Sequence, residues 1–188
     1  MTRSGTLLPA QVLYAGKSDH CLPENVFPED WDPFYTESHW SNEDSMVRFV
    51  ERIVVPYVTS VRETLPLRQC EQPAIAIFDV YKAHRSPLVL DALRKNGILP
   101  LFVPACCTDR LQPLDLTVNK DFKDLIKAKF QEWHTAQVMD QLDRGVEEPV
   151  DTSFTAIKRV HASWIVSAHT DLALRRQLIV RGFEKAGI

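Results

Sequence analysis

Residues 74–103, AIAIFDVYKAHRSPLVLDALRKNGILPLFV, decide the fold. They read as an apolar strand, a helix and a second apolar strand. The helix is predicted to begin with Ser86 as N-cap and Pro87 as its first residue, and to stop at Gly97. The second strand covers residues 98–103. Two apolar strands joined by a helix predict a parallel pair with a right-handed crossover, and therefore an α/β fold.

The residues before this unit predict a strand, a long loop and a helix. Residues 7–14 read as a strand, whereas the stretch from residue 18 to about 39 contains three prolines and several acids without periodicity, which indicates a loop. Residues 41–44 resemble a capping box, and apolar residues at helical spacing follow. Pro56 is expected to kink or split this helix near Val55, because proline removes a helical hydrogen bond.

The residues after the unit are predicted to be helical. Apolar spacing predicts a helix over residues 118–142, then an acidic hinge at residues 143–152. Residues 157–168 and 171–185 are expected to form two closing helices. The chain is therefore predicted to form a single domain, residues 1–188, with the hinge before its C-terminal helices.

The composition is that of a folded globular protein, with 45% apolar and 25% charged residues among 188. It contains no apolar run of membrane-spanning length and no signal-peptide pattern, so a location inside the cell and no membrane partner are expected. The four cysteines match neither a disulfide framework nor a zinc-finger spacing. They are Cys21, Cys70, Cys106 and Cys107.

Charge is distributed unevenly along the chain, whose formal net charge is −3. Residues 1–70 carry six basic and ten acidic side chains, and residues 158–188 carry six basic and two acidic. Residues 79–133 are also net positive, with nine basic and seven acidic side chains. The basic segments suit contact with phosphate, but they are equally typical of solvated helix faces.

Asp79 and Asp115 are the candidate functional residues. Asp79 closes the first apolar strand of residues 74–103. Asp115 lies at or just before the helix that begins at Val118. Ligands of open parallel sheets bind outside the carboxyl ends of strands, and Mg²⁺ prefers carboxylate oxygens. We expect the two carboxylates to lie within about 8 Å, close enough for metal ions to bridge. An aspartate in either position can equally be a structural cap, and spacing alone leaves both interpretations open.

Segments around both aspartates resemble a known family. Residues 78–84 read FDVYKAH and residues 101–119 read LFVPACCTDRLQPLDLTVN. They resemble the DDE superfamily endonuclease domain of pogo and Tigger-type transposases, relatives of Tc1/mariner. That family typically shows Asp-Asn-x-x-x-His at a strand end and Leu-Gln-Pro-Leu/Met-Asp before a helix. Residues 4–17, 39–44 and 182–187 are similar to further segments of it, so the resemblance covers nearly the whole chain.

The resemblance implies a ribonuclease H-like α/β fold with a mixed sheet flanked by helices. It implies three carboxylates that hold two Mg²⁺ or Mn²⁺ ions, which activate a nucleophile and stabilise the leaving oxygen during DNA strand cleavage and transfer. Asp79 corresponds to the second acid and Asp115 to the third, as catalytic residues and metal ligands. Asp109 is a weaker candidate. DNA is the implied partner and the nucleus the implied location.

Two departures from the family pattern limit the expected activity. Val80 stands where an Asn usually follows the second Asp. The first Asp of the family precedes the segment that residues 4–5 resemble, so we expect the first carboxylate, one or two strands and any helix-turn-helix domain to be missing. The fragment is then expected to bind metal weakly and to be inactive. Two further hypotheses remain: a domesticated DNA- or protein-binding module without catalysis, and an unrelated α/β domain in which both aspartates are caps.

Overall fold

The computed structural model describes residues 1–24, 26–66 and 69–188. Within these ranges four strands and eight α-helices follow in the order β1 (Gln11–Ala15), β2 (Asp32–Thr36), α1 (Glu43–Phe49), α2 (Val55–Thr64), β3 (Ala74–Phe78), α3 (Pro87–Lys95), β4 (Ile98–Phe102), α4 (Thr108–Leu111), α5 (Pro113–Leu116), α6 (Val118–Asp143), α7 (Phe154–Ala173) and α8 (Arg176–Lys185). A π-helical turn, Val50–Val54, joins α1 to α2. Short 3₁₀ turns lie at Asp19–Cys21 and Lys82–Arg85.

The strand, helix and strand of residues 74–103 form as predicted. β3 and β4 pair in parallel, with Ala74 opposite Ile98 and Phe78 opposite Phe102. Ser86 caps α3 by accepting a hydrogen bond from the backbone N–H of Val89. The α/β class is therefore confirmed. The sheet differs from the prediction, because the described residues form two separate two-stranded parallel sheets, β1–β2 and β3–β4, rather than one mixed sheet.

The predicted loop at residues 18–39 is wrong, because it contains β2. This strand pairs in parallel with β1, and Asp32 N–H donates to the carbonyl of Ala10 at 3.0 Å. Pro33 made the segment read as a loop. In the ladder the even-numbered residues of β2 bond to β1, so Pro33 lies on the outer edge, where a missing N–H breaks no ladder bond.

The helix after β2 begins and changes type near the predicted positions. Asn42 is its N-cap, and the side chains of Asn42 and Ser45 form the reciprocal bonds of a capping box. Ahead of Pro56 the helix widens into the π turn, in which the N–H of Val55 donates to the carbonyl of Val50. A proline lacks the N–H and crowds the carbonyl four residues earlier, so the turn before it rearranges.

Two apolar clusters form the core. The first lies between the α1–α2 segment, α3 and the β3–β4 sheet, and its buried members are Met46, Val50, Val54, Val58, Ala83, Val89, Leu93 and Ile98. The second joins the start of α6 to α7 and α8 through Val118, Leu172, Ile179 and Phe183. We call the second one the α6–α8 cluster.

The C-terminal half is helical, as predicted, but the bounds of the last two helices differ from the prediction by up to five residues. α6 covers the predicted range, and residues 144–153 separate it from α7. The break between the last two helices falls at residues 174–175, five residues later than the spacing indicated. No helix in the described part of the chain has the length and hydropathy needed to cross a membrane.

Candidate active site

Asp79 is the first residue after β3, and its carboxylate is held by two neighbours. Oδ1 accepts the backbone N–H of Tyr81 at 3.1 Å and lies 2.6 Å from Nδ1 of His84. His84 sits in the 3₁₀ turn that follows β3, with its ring centroid 5.3 Å from that of Phe78. A carboxylate only accepts, so the contact places a proton on His84 Nδ1. The five-residue spacing thus lets His84 orient the Asp79 side chain.

Asp115 lies in the one-turn helix α5, directly before α6. The bounds of α5 and α6 put Asp115 where the sequence predicted it, just before the start of the long helix. The side chain is exposed, and its Oδ1 accepts a hydrogen bond from Nδ2 of Asn119, one turn further on. Asn119 belongs to the same motif, but no signal in the sequence assigned it this contact.

Apolar packing brings the end of β3 to the junction of α5 and α6. Ile77 of β3 packs against the α6–α8 cluster, and so does Leu114 of α5. Asp79 follows Ile77 by two residues, directly after the end of β3. Asp115 is the immediate neighbour of Leu114. Each aspartate is therefore a near neighbour in sequence of a residue that packs against the same apolar cluster.

Gly182 of α8 explains how α5 is fixed against the last helix. A Cβ at this position would lie 2.5 Å from the carbonyl oxygen of Pro113 and 2.8 Å from Oγ1 of Thr117. Only glycine allows the two backbones to approach so closely. Thr117 is itself buried and bonds back to the Pro113 carbonyl at 3.4 Å. The segments at residues 112–115 and 182–187 are thus parts of one contact.

A second polar cluster, centred on Asp32, was missed by the sequence analysis. Asp32 is 1% exposed and lies 2.7 Å from Nε of Arg48 and 3.5 Å from Nε of Arg52. Gln11 donates to the same carboxylate at 2.8 Å and to the carbonyl of Ser45 at 2.9 Å. The sequence did contain one indication of this cluster: Arg48 and Arg52 are four residues apart, which puts both on one helix face. The cluster ties β1 and β2 to α1 and the π turn.

The segment between β4 and α5 contains two cysteines and Asp109, the weaker candidate. Cys106 and Cys107 follow β4 in a turn, where Cys106 adopts a left-handed conformation with φ of 62°. Asp109 lies in α4. No group of three or more His, Cys, Asp or Glu in the described ranges is arranged to hold a metal ion.

Comparison with known proteins agrees with the motifs. The sequence matches the DDE superfamily endonuclease family over residues 6–183. The chain therefore belongs to this family. It is 27% identical over 130 residues to a human protein described as a pogo transposable element with ZNF domain. The match covers 68% of this chain and 8% of that relative. No solved structure matches the chain.

Family membership makes this a DDE superfamily endonuclease domain, and the similarity to the human relative supports a transposase-derived origin of the pogo type. The mixed α/β architecture, with small sheets and many helices, is consistent with a DDE nuclease domain.

Proposed function

We propose that this chain is a ribonuclease H-like DNA-binding domain of transposase origin, in which Asp79 and Asp115 retain part of an ancestral metal site. One observation carries the proposal: Ile77, two residues before Asp79, and Leu114, directly before Asp115, pack against the same apolar cluster. Two unrelated caps would have no reason to adjoin residues of one cluster. DNA is the partner that DDE nuclease domains act on, and a nuclear location follows from that partner.

Asp79 and Asp115 suit a hard divalent cation. Mg²⁺ is usually held by one or two carboxylates, with phosphate oxygens and water completing its shell. Mn²⁺ accepts the same oxygen ligands. When bound, such an ion would supply positive charge that polarises a phosphoryl oxygen. The protein side of the site consists of the oriented Asp79, which His84 and the Tyr81 N–H hold, and of Asp115, which Asn119 holds.

The same contacts argue for a binding role without cleavage. Oδ1 of each aspartate is engaged by a neighbouring side chain, so a metal ion has to share that oxygen or use the other one. Val80 places an apolar side chain where the family usually has an Asn amide. Metal affinity rises with the number and preset geometry of charged ligands, and both features lower it here. The ancestral reaction is Mg²⁺-dependent DNA strand cleavage and transfer, and we propose that this chain does not perform it.

Binding of Mn²⁺ tests whether the two aspartates share a site. In a titration followed by electron paramagnetic resonance, we expect weak binding by the wild type. Asp79→Asn and Asp115→Asn should each lower the affinity at least about tenfold, because each removes one of two charged ligands. Asp140→Asn is the matched control, since Asp140 is an exposed α6 residue paired with Arg144. Equal affinities in all four proteins would refute a shared site.

The second candidate function is a domesticated module that binds protein rather than DNA. It is favoured by apolar side chains exposed on the β3–β4 sheet, Ile75, Leu99 and Leu101. Absence of DNA binding at low ionic strength would favour this function over the first.

A further inference from the structure

An exposed tryptophan lies in the turn that follows β2. Trp40 is 64% exposed, whereas Trp31 and Trp164 are buried. The backbone on both sides of its ring is held in place. Oγ1 of the buried Thr36 donates to the carbonyl of Trp40 at 3.0 Å, and His39 adopts a left-handed conformation with φ of 58°. The ring centroids of His39 and Trp40 are 5.5 Å apart. The turn therefore presents a large aromatic side chain to solvent.

One hydrogen bond joins this turn to the Asp79 site. The hydroxyl of Tyr81 donates to the carbonyl of Ser41 at 3.1 Å. Ser41 directly follows Trp40, and the backbone N–H of Tyr81 donates to the Asp79 carboxylate. Tyr81 is itself 39% exposed. The carboxyl ends of β2 and β3 thus meet at Tyr81, and this contact places the Trp40 turn beside the candidate active site.

The charges near these rings differ between the two segments. Lys82 and Arg85, both exposed, lie in the 3₁₀ turn after β3. Glu43 and Asp44 begin α1, soon after Trp40. A phosphate is attracted by the first pair and repelled by the second, whereas a base carries no charge. The arrangement favours phosphates beside Lys82 and Arg85 and a base on the Trp40 side.

We propose that Trp40 stacks on an unpaired base of a DNA strand that approaches Asp79. The inference rests on the proposed DNA binding, and it names unpaired DNA as the form recognised at this end of the site. Every base has an aromatic face, so stacking of this kind tolerates any sequence. A base inside a duplex is covered by its neighbours. Contact with Trp40 therefore requires a single-stranded or extruded nucleotide.

Two oligomers that differ only in their bases test the stacking. One is a short oligothymidylate, and the other is an abasic strand of the same length, which keeps the phosphates. In fluorescence anisotropy at low ionic strength, the wild type should bind oligothymidylate at least about tenfold more tightly. Trp40→Ala should bind both oligomers equally. Trp40→Phe should restore part of the difference, because it keeps a smaller ring. Trp40→Gln, which has no ring, decides the matter if the alanine variant misfolds by circular dichroism.

Phe154→Ala is the matched control. Phe154 is a similarly exposed aromatic residue, at 72%, but it begins α7 and belongs to neither segment of the site. This variant should keep the full preference for oligothymidylate. Oligothymidylate should also quench the tryptophan fluorescence of the wild type and of Phe154→Ala, because a stacked base quenches an exposed indole. The quenching should be lost in Trp40→Ala.

Equal binding of the two oligomers by the wild type, or an undiminished preference in Trp40→Ala, would overturn stacking at Trp40. Duplex binding that persists in that case would leave the proposed function intact, because phosphate contacts alone account for it. Failure to bind DNA of any form at low ionic strength would overturn both the stacking and the proposed function. The two proposals therefore fail in distinguishable ways.

Discussion

At the scale of single residues, buried polar groups hold the N-terminal part of the chain together. Asp32 is nearly inaccessible, yet it contacts two arginines and the amide of Gln11. Breaking a buried ion pair by removing one partner typically costs about 3–5 kcal/mol, because the other charge is left without compensation. Arg48 is one-third exposed, which lowers that cost. The network fixes β2, whose sequence alone favours a loop.

His169 is the residue whose protonation should affect stability. Its Nε2 lies 2.8 Å from the carbonyl of Leu8, and its ring packs edge-on against Trp31. Burial lowers the pKa of His169 below its usual value, and the hydrogen bond to Leu8 opposes this only in part. The folded protein therefore holds a neutral imidazole where the unfolded chain binds a proton.

The sign of the pH dependence follows from this pKa. The stability that neutral His169 contributes is fully present above the ordinary histidine pKa of about 6.5. It is lost as the pH falls toward the lower pKa that His169 has in the folded protein. Urea unfolding between pH 7 and pH 5 should show the loss. His169→Gln keeps an amide near Leu8 and does not titrate, so it should flatten the slope by up to about 1.4 kcal/mol per pH unit. A residual slope should remain in this variant, because burial also lowers the pKa of His161. An unchanged slope would contradict the assignment.

At the scale of elements, local signals predicted most of the fold. The N-cap at Ser86, the proline after it and the apolar runs on both sides identified β3, α3 and β4, because each signal acts within a few residues. The capping box at Asn42 and the split near Pro56 are equally local. β2 could not be found in this way, because its partner strand lies about twenty residues away and its aspartate is satisfied by arginines of a later helix.

The candidate site was predictable in part. The strand-end and helix-start patterns predicted where Asp79 and Asp115 lie. The surrounding motif identified them as the counterparts of the family's second and third acids. The contacts of Asp79 with His84 and of Asp115 with Asn119 depend on side-chain directions that spacing does not fix. The close approach at Gly182 joins segments almost seventy residues apart, which no local pattern reports.

At the scale of the whole molecule, the engaged aspartates predict an inactive domain. Purified residues 1–188 should show no Mg²⁺- or Mn²⁺-dependent nicking of supercoiled plasmid above that of Asp79→Asn, because neither carboxylate is free of a neighbouring donor. The variant also controls for contaminating nucleases. Metal-dependent cleavage by the wild type that disappears in Asp79→Asn would show that other groups complete the site.

DNA binding is the activity proposed for this domain, and α6 is the element expected to carry it. Lys120, Lys123 and Lys127 are exposed and lie near one another along its first turns. Lys127 has a surface partner, Asp124, at 3.8 Å, and such exposed pairs contribute little. Lysines that contact phosphates position a protein on a duplex without reading its bases. The binding should therefore be weak, with little sequence preference.

A salt titration of duplex DNA binding tests whether the α6 lysines contact phosphate. Removing one lysine that neutralises a phosphate should lower the slope of log K against log salt by about one. We expect joint replacement of the three lysines by Ala to weaken binding and flatten that slope. The control replaces three other exposed cations, Lys17, Arg94 and Arg144, and should leave the slope nearly unchanged. If the wild type fails to bind at low ionic strength, or if both triple variants behave alike, the α6 lysines are a solvated helix face and the proposed function is wrong.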